Sequence, residues 1–176
     1  MSPTSIMRTQ RLVLRPLTSA DAEALHAVYS DADAMTWWSH APHDSVEQTR
    51  DRVTRNISDA SWRAWAITLK GDDTAIGTLA AHEKRQGKVV EIGYALVRAQ
   101  WGSGLAREAV SALVTRLFAE GNRRVFADTD PDNVASNRLL EKLGFTREGH
   151  LRGEWETHLG VRDSYIWGML AGDWSA

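Results

Sequence analysis

The sequence predicts an α/β or α+β fold, and two observations carry that prediction. Several strand-like segments precede one long apolar stripe with helical spacing. After that stripe the pattern returns as strand, short helix and strand, so helices alternate with a sheet rather than forming a bundle. The 176 residues suit one domain spanning 1–176, and a domain of that size buries about 70% of its unfolded surface.

Each element has its own signal. Arg11-Leu12-Val13-Leu14-Arg15 alternates like a half-buried strand, which Pro16 ends. Thr18 is placed to cap a helix over about Ser19 to Ser30, with Asp21 and Glu23 in its first turn. Met35 to His40 is apolar without a clear period. Asp44 followed by Glu47 predicts a capping box and a second helix to about Ser58. Ala64 to Leu69 and Ala75 to His82 read as strands joined by the Gly71-Asp72-Asp73 turn. Gln86-Gly87-Lys88 turns the chain into Val89 to Val97, the longest strand signal. Leu105, Ala109, Leu113 and Leu117 then form a helical stripe stopped by Gly121. Arg124 to Thr129 reads as a strand, and Asn133 to Leu143 as a short helix with Leu139, Leu140 and Leu143 inward. Phe145 to Leu151 and Ser164 to Leu170 are the last two strand candidates.

Composition excludes several function classes. The chain has no cysteine, which removes disulfides, thiolate metal sites and a cysteine nucleophile together. Its six histidines (His26, His40, His43, His82, His150 and His158) show no ligand spacing with paired carboxylates, so no metal is expected. A net charge of -2 with both signs spread along the chain gives nucleic acid no basic surface to bind. No run approaches the ~20 apolar residues of a membrane span, and the first ten residues lack an apolar signal core and a basic flank. A cytoplasmic protein without a membrane partner is expected. Eight tryptophans predict a core or pocket wall rich in indole.

One unit suggests chemistry. A strong strand signal, the turn Trp101-Gly102-Ser103-Gly104 and a helix from Leu105 follow one another without a break. Glycines let backbone N–H groups approach a phosphate, and a helix N-terminus adds partial positive charge. Alone, such a turn is as often structural as functional.

Three further segments accompany it in order and spacing. They are Thr9-Gln10-Arg11-Leu12-Val13-Leu14-Arg15-Pro16, Glu91-Ile92-Gly93-Tyr94, and Asp132-Asn133-Val134-Ala135-Ser136-Asn137 leading into Leu140-Glu141-Lys142-Leu143-Gly144-Phe145. With these, the chain resembles the GNAT N-acetyltransferases along nearly its whole length, and within them the Rim-type branch (RimJ/RimL-like) that acetylates ribosomal-protein N-termini. Trp101 stands where many of that family carry Gln or Arg.

The resemblance implies a central mixed, mostly antiparallel sheet flanked by helices, with a splayed strand pair holding acetyl-CoA. It implies that Trp101, Gly102, Ser103, Gly104, Leu105, Ala106 and Arg107 hold the pyrophosphate. It further implies that Leu96 and Val97 offer backbone groups to the pantetheine arm and an N–H to the developing oxyanion, that Asn133 and Asn137 touch the same arm, and that Ser136 meets the sulfur. Some relatives place a tyrosine where this chain has Leu140. A homodimer is plausible on the resemblance alone.

The catalytic base is open between Glu91 and Asp128, with His82 as a possible shuttle. Glu91 equally reads as a strand carboxylate facing a cation, Asp128 as a shaper of the sheet end, Ser136 as a helix-turn serine, and Asn133 as a helix cap. Trp37, Trp38, His40 and Trp155 are the candidate acceptor wall, or else core and packing residues; the resemblance places Trp155 in a loop over the acceptor. The expected activity is direct transfer of acetyl to an amine, foremost a peptide or protein N-terminal α-amine. A small amine such as an amino acid, polyamine or antibiotic is the alternative, and a non-catalytic acyl-CoA sensor a third.

Overall fold

The computed structural model describes residues 4–85 and 87–175. In chain order its elements are β1 (Met7–Arg8), β2 (Leu12–Pro16), α1 (Ala22–Tyr29), α2 (Ala32–Met35), α3 (Val46–Ser58), β3 (Trp62–Leu69), β4 (Ala75–Arg85), β5 (Val89–Leu96), α4 (Leu105–Ala119), β6 (Arg124–Thr129), α5 (Val134–Lys142), β7 (Thr146–Thr157) and β8 (Gly160–Leu170). The eight strands form one sheet in the order β1-β2-β3-β4-β5-β6-β8-β7. Every neighbouring pair is antiparallel except β5 and β6.

That exception makes the opening. β5 and β6 pair only at Val89–Arg124, Val90–Val125 and Glu91–Phe126. β5 stays with β4 as far as Leu96, and β6 stays with β8 as far as Thr129. From Ile92 onward the two parallel strands diverge, so the sheet has a wedge at its centre.

Two apolar layers cover the sheet. Leu105, Ala109, Val110, Leu113, Val114 and Leu117 of α4 pack with Leu140 of α5 against one face, on Leu14, Ile67, Leu79, Val90, Ile92 and Val125. Leu25, Val28, Tyr29, Met35 and Val53 from α1 to α3 pack on Ala64, Ala66 and Ala75 of the other face. The α4 stripe is buried as its spacing predicts. In α5 only Leu140 is fully buried, while Leu139 and Leu143 are half-buried at the core's margin.

Local chemistry accounts for the boundaries. The Asp21 carboxylate reaches back to the Thr18 N–H at 2.9 Å, so the first turn forms as a 3-10 turn over Ser19–Asp21 before α1 proper. Arg15 grips the same carboxylate with both terminal nitrogens, at 2.9 and 2.6 Å. The second helix is capped one residue later than the Asp44–Glu47 reading predicts. Ser45 is extended and accepts from Gln48 N–H, while the Gln48 side chain accepts from Asp44 N–H. Two caps in adjacent frames compete there, and burial of Thr49 and Val53 accompanies the second.

The last hairpin is much longer than the sequence suggests. β7 and β8 pair from Thr146–Gly168 out to Thr157–Gly160, so Trp155 sits in a strand and not in a loop. β7 is exposed along almost its whole length, which removes the apolar alternation that marks a strand. Its charged residues suit an unpaired edge. Gln86, expected in a turn, lies outside the described residues. Among the described residues, no helix is long and apolar enough to cross a membrane.

Candidate active site

The loop leaving β5 has an open backbone whose geometry suits an anion. Gly102 and Gly104 hold φ of 72° and 80°, left-handed values that side chains resist. A Cβ on Gly102 would meet nothing within 4 Å, so the backbone faces open space. The first helical bond of α4 runs from Glu108 N–H to Gly104 O, which leaves the N–H groups of the preceding turn without carbonyls behind them. Ser103 Oγ donates to Gln100 O and accepts from Leu105 N–H. The indole N–H of Trp101 donates to Leu96 O at 2.9 Å, and Arg107 is exposed on the first turn of α4.

The opening motif of the chain braces this loop from behind. Glu108 accepts from Thr9 Oγ1 at 2.5 Å, from Arg11 N–H at 2.7 Å and from Arg11 Nε at 2.7 Å. Arg11 also donates to Ser103 O at 3.0 Å. These contacts offset the charge of Glu108 beside the glycine loop and the N-terminus of α4.

Strand alternation decides which backbone groups face the wedge. Val97 N–H donates to Ile76 O at 2.9 Å, so Ala95 and Gly93, two and four residues earlier, also turn toward β4. Tyr94 and Leu96 turn their N–H groups toward β6 and the opening. The expectation that Val97 offers its N–H is therefore corrected, and Leu96 is the residue that keeps one available.

Across the wedge, α5 begins at Asn133, whose side chain accepts from Ser136 N–H at 3.2 Å. The cap role is thus real. Asn137 is a correction. Its amide oxygen accepts from Thr129 Oγ1 at 2.6 Å and from Trp167 Nε1 at 3.0 Å, and its nitrogen donates to Asp130 O and Pro131 O at 3.1 Å each. Four bonds exhaust an amide, so Asn137 staples α5 to β6 and β8 and has nothing left for a ligand. Ser136 is half-buried at the mouth.

Behind Ser136 stands Tyr94, a residue the sequence reading left unassigned. Its hydroxyl is buried and forms no hydrogen bond of normal geometry; Ser136 is its polar neighbour. Burial pushes the phenol up to about 12, opposed only in part by Ser136.

The opposite face of the sheet carries the candidate bases. Glu91 and Asp128 project there together, since Glu91 pairs with Phe126, two residues before Asp128. Lys84 Nζ lies 2.9 Å from Glu91 Oε2, and His82 Nδ1 4.0 Å from the same oxygen. Asp128 accepts from Trp155 Nε1 at 3.0 Å and from Ser164 Oγ. His82 stacks on Trp62 at 4.6 Å. Lys84 and Ser164 carry no motif signal, and only the register of the sheet reveals them; Tyr94 lies within the Glu91-Ile92-Gly93-Tyr94 segment, but its place behind Ser136 shows only in the fold.

The proposed acceptor wall divides. Trp38 packs edge-on to Tyr29 at 6.3 Å and belongs to the core margin, whereas Trp37 points outward and is 38% exposed. His40 stacks on His43 at 5.2 Å, and His43 on Tyr29 at 5.1 Å. Burial lowers the pKa of both imidazoles, and His158 in the hairpin turn is near enough to disfavour protonation of His40 further. The hairpin tip thus arches toward His40, with Trp155 on the inner side.

Residues 11–146 match the model of the acetyltransferase (GNAT) domain family. The chain belongs to the GNAT acetyltransferases. It is 35% identical over 152 residues to the uncharacterized N-acetyltransferase YoaA of Bacillus subtilis, covering 84% of this chain and 86% of that one. It is 34% identical over 169 residues to N-acetyltransferase p20 of Bacillus licheniformis, covering 92% and 94%. Among solved structures, a GNAT acetyltransferase from Chromobacterium violaceum superposes with a TM-score of 0.91 at 26% identity, covering 99% and 90%. Spermidine N(1)-acetyltransferase of Escherichia coli is 26% identical over 151 residues, covering 80% and 76%. The ribosomal L7/L12 α-N-protein acetyltransferase RimL shares the fold with a TM-score of 0.84 at 23% identity, covering 95% and 94%.

This GNAT chain is therefore an acyltransferase that uses acetyl-CoA to acetylate an amine. The open glycine loop, the central wedge and the Leu96 N–H turned into it fit that co-substrate.

Proposed function

We propose that the acceptor is the α-amine of a peptide or protein N-terminus. The observation that carries this reading is that the ionisable groups gathered on the acceptor face at the wedge are two carboxylates, Glu91 and Asp128, accompanied by Lys84 and His82. Carboxylates are weak bases. Deprotonating an α-ammonium at pH 7 costs only about 1–1.4 kcal/mol, against about 4.6 kcal/mol for a lysine side chain. A weak base serves the first and not the second. RimL, which shares the fold, carries the same acceptor class in its name.

Bound acetyl-CoA supplies an acetyl thioester. In the proposed mechanism Gly102 to Arg107 hold its pyrophosphate by backbone N–H groups and helix-terminal charge. Leu96 presents its N–H to the carbonyl oxygen as negative charge grows there. Glu91 takes the first proton that the acceptor ammonium sheds, the amine nitrogen forms its bond to the carbonyl carbon as the carbon–sulfur bond breaks, and the nitrogen's second proton passes to the departing thiolate, leaving a neutral amide and the CoA thiol. Ser136 donates a hydrogen bond to the departing sulfur.

A polyamine acceptor is the second reading, favoured by the 26% identity to spermidine N(1)-acetyltransferase. Thiol release from acetyl-CoA separates the two. Peptides with free N-termini should release thiol and lose that activity when blocked. Turnover with spermidine alone would replace the first reading with the second. Glu91→Gln should lower kcat on the order of a hundredfold, and a loss confined to Asp128→Asn would move the base to that residue.

A further inference from the structure

The acceptor face holds an ammonium of its own. Lys84, near the end of β4, keeps its Nζ 2.9 Å from Glu91 Oε2 and 5.7 Å from the centre of the Trp155 ring. A carboxylate and an aromatic face around one cation are the two groups that recognise an ammonium in general.

The pocket around it is assembled from five strands. Glu91 comes from β5 and Trp155 from β7, and Asp128 of β6 fixes the indole by accepting from its nitrogen at 3.0 Å. Ser164 of β8 donates to the other Asp128 oxygen. The indole is thus oriented by a second carboxylate, Asp128, while the lysine's ion pair is with Glu91. The lysine is the loose member. Its side chain is 43% exposed against 17% for Glu91, it swings on a flexible stem, and an ion pair this open is weak.

We propose that Lys84 is a built-in stand-in for the acceptor: its ammonium occupies the cation site between Glu91 and Trp155 that the acceptor's amine takes over. This rests on the reading of Glu91 as the base. While Lys84 is in place the Glu91 oxygen is engaged, and the acceptor's arrival releases that oxygen to receive a proton. The site selects acceptors that arrive as compact alkylammonium ions, and it disfavours amines neutral at working pH. Intramolecular competition by Lys84 sets how much cationic acceptor is needed.

The test uses the CoA-loaded protein, in which there is no acetyl group to transfer. Methylammonium chloride is titrated at matched ionic strength while the Trp155 indole resonance is followed, assigned by its loss in Trp155→Phe. In Lys84→Met the midpoint should fall about two- to sixfold, the factor by which a tethered competitor in so open an ion pair raises it; Lys84→Arg should stay close to the parent. Equal midpoints in the parent and Lys84→Met, or no shift of the Trp155 resonance in either, would overturn the proposal. So would a rise in the KM for a cationic acceptor in Lys84→Met, which would make the lysine a support for Glu91. Binding is read without turnover. Methylammonium displacing Lys84 in a protein that acetylates no N-terminus would therefore sink the proposed acceptor and uphold the stand-in.

Discussion

Trp101 donates its indole N–H to the main-chain oxygen of Leu96 at 2.9 Å, tying the glycine loop to the strand it has just left. The Arg98 guanidinium lies over the same ring, 5.7 Å from its centre. Trp101→Phe keeps a ring and loses the donor. One such bond is worth about 0.5–1.5 kcal/mol, so the KM for acetyl-CoA should rise about two- to tenfold, with a smaller change in kcat at saturation. Steady-state kinetics at varied acetyl-CoA measures this, and an unchanged KM would mean that the loop keeps its shape without the tie.

Asn137 tests the difference between a staple and a ligand. Asn137→Ala leaves Trp167 Nε1, Thr129 Oγ1 and two loop carbonyls without their partner. The expected loss of stability is about 2–4 kcal/mol, read by urea unfolding. The fraction that stays folded should bind CoA with nearly the parent's affinity. Weak binding with undiminished stability would return Asn137 to the cofactor site.

Tyr94→Phe should behave in the opposite sense. Removing a buried hydroxyl that has no proper hydrogen bond relieves a desolvation cost of about 1 kcal/mol, which corresponds to about 2–4 °C in a protein of this length. Thermal unfolding should shift upward. A downward shift would reveal a working bond between Tyr94 and Ser136.

Acid should weaken the fold through Asp21 and Glu108. Burial pushes both carboxyls up, but Arg15 and Thr18 at Asp21, and Thr9 and Arg11 at Glu108, outweigh it, so both fall below their ordinary values. Asp31, held chiefly by Arg98, is lowered to about 2. A depressed carboxyl stabilises the fold above the unfolded-chain value, about 4, and that contribution is lost as pH drops through the folded value. Unfolding midpoints should therefore decline below about pH 4, and Glu108→Gln should start lower at neutral pH and decline less steeply. An equal slope in both proteins would refute the assignment to Glu108.

The sequence by itself determined the order of the longer elements (though not the short β1 and α2), the glycine loop, the α4 stripe and the position of the strand that opens the sheet. Those features are written in spacing over a few residues, such as Leu105 to Leu117 or Gly102 to Gly104, and short-range spacing is what a linear pattern preserves. It placed Trp155 in a loop, because an exposed hairpin has no buried face to mark it, and it misjudged the α3 cap, because Asp44 and Ser45 offer equivalent frames. Only the tertiary structure decided that Val97 spends its N–H on Ile76, that Asn137 is fully satisfied, and that Lys84 meets Trp155. It also joined Arg11 to Glu108 across 97 positions and Trp155 to Asp128 across 27. Contacts at such separations depend on strand register and on the divergence of β5 from β6, and a change of one residue in register turns every side chain of a strand to the other face.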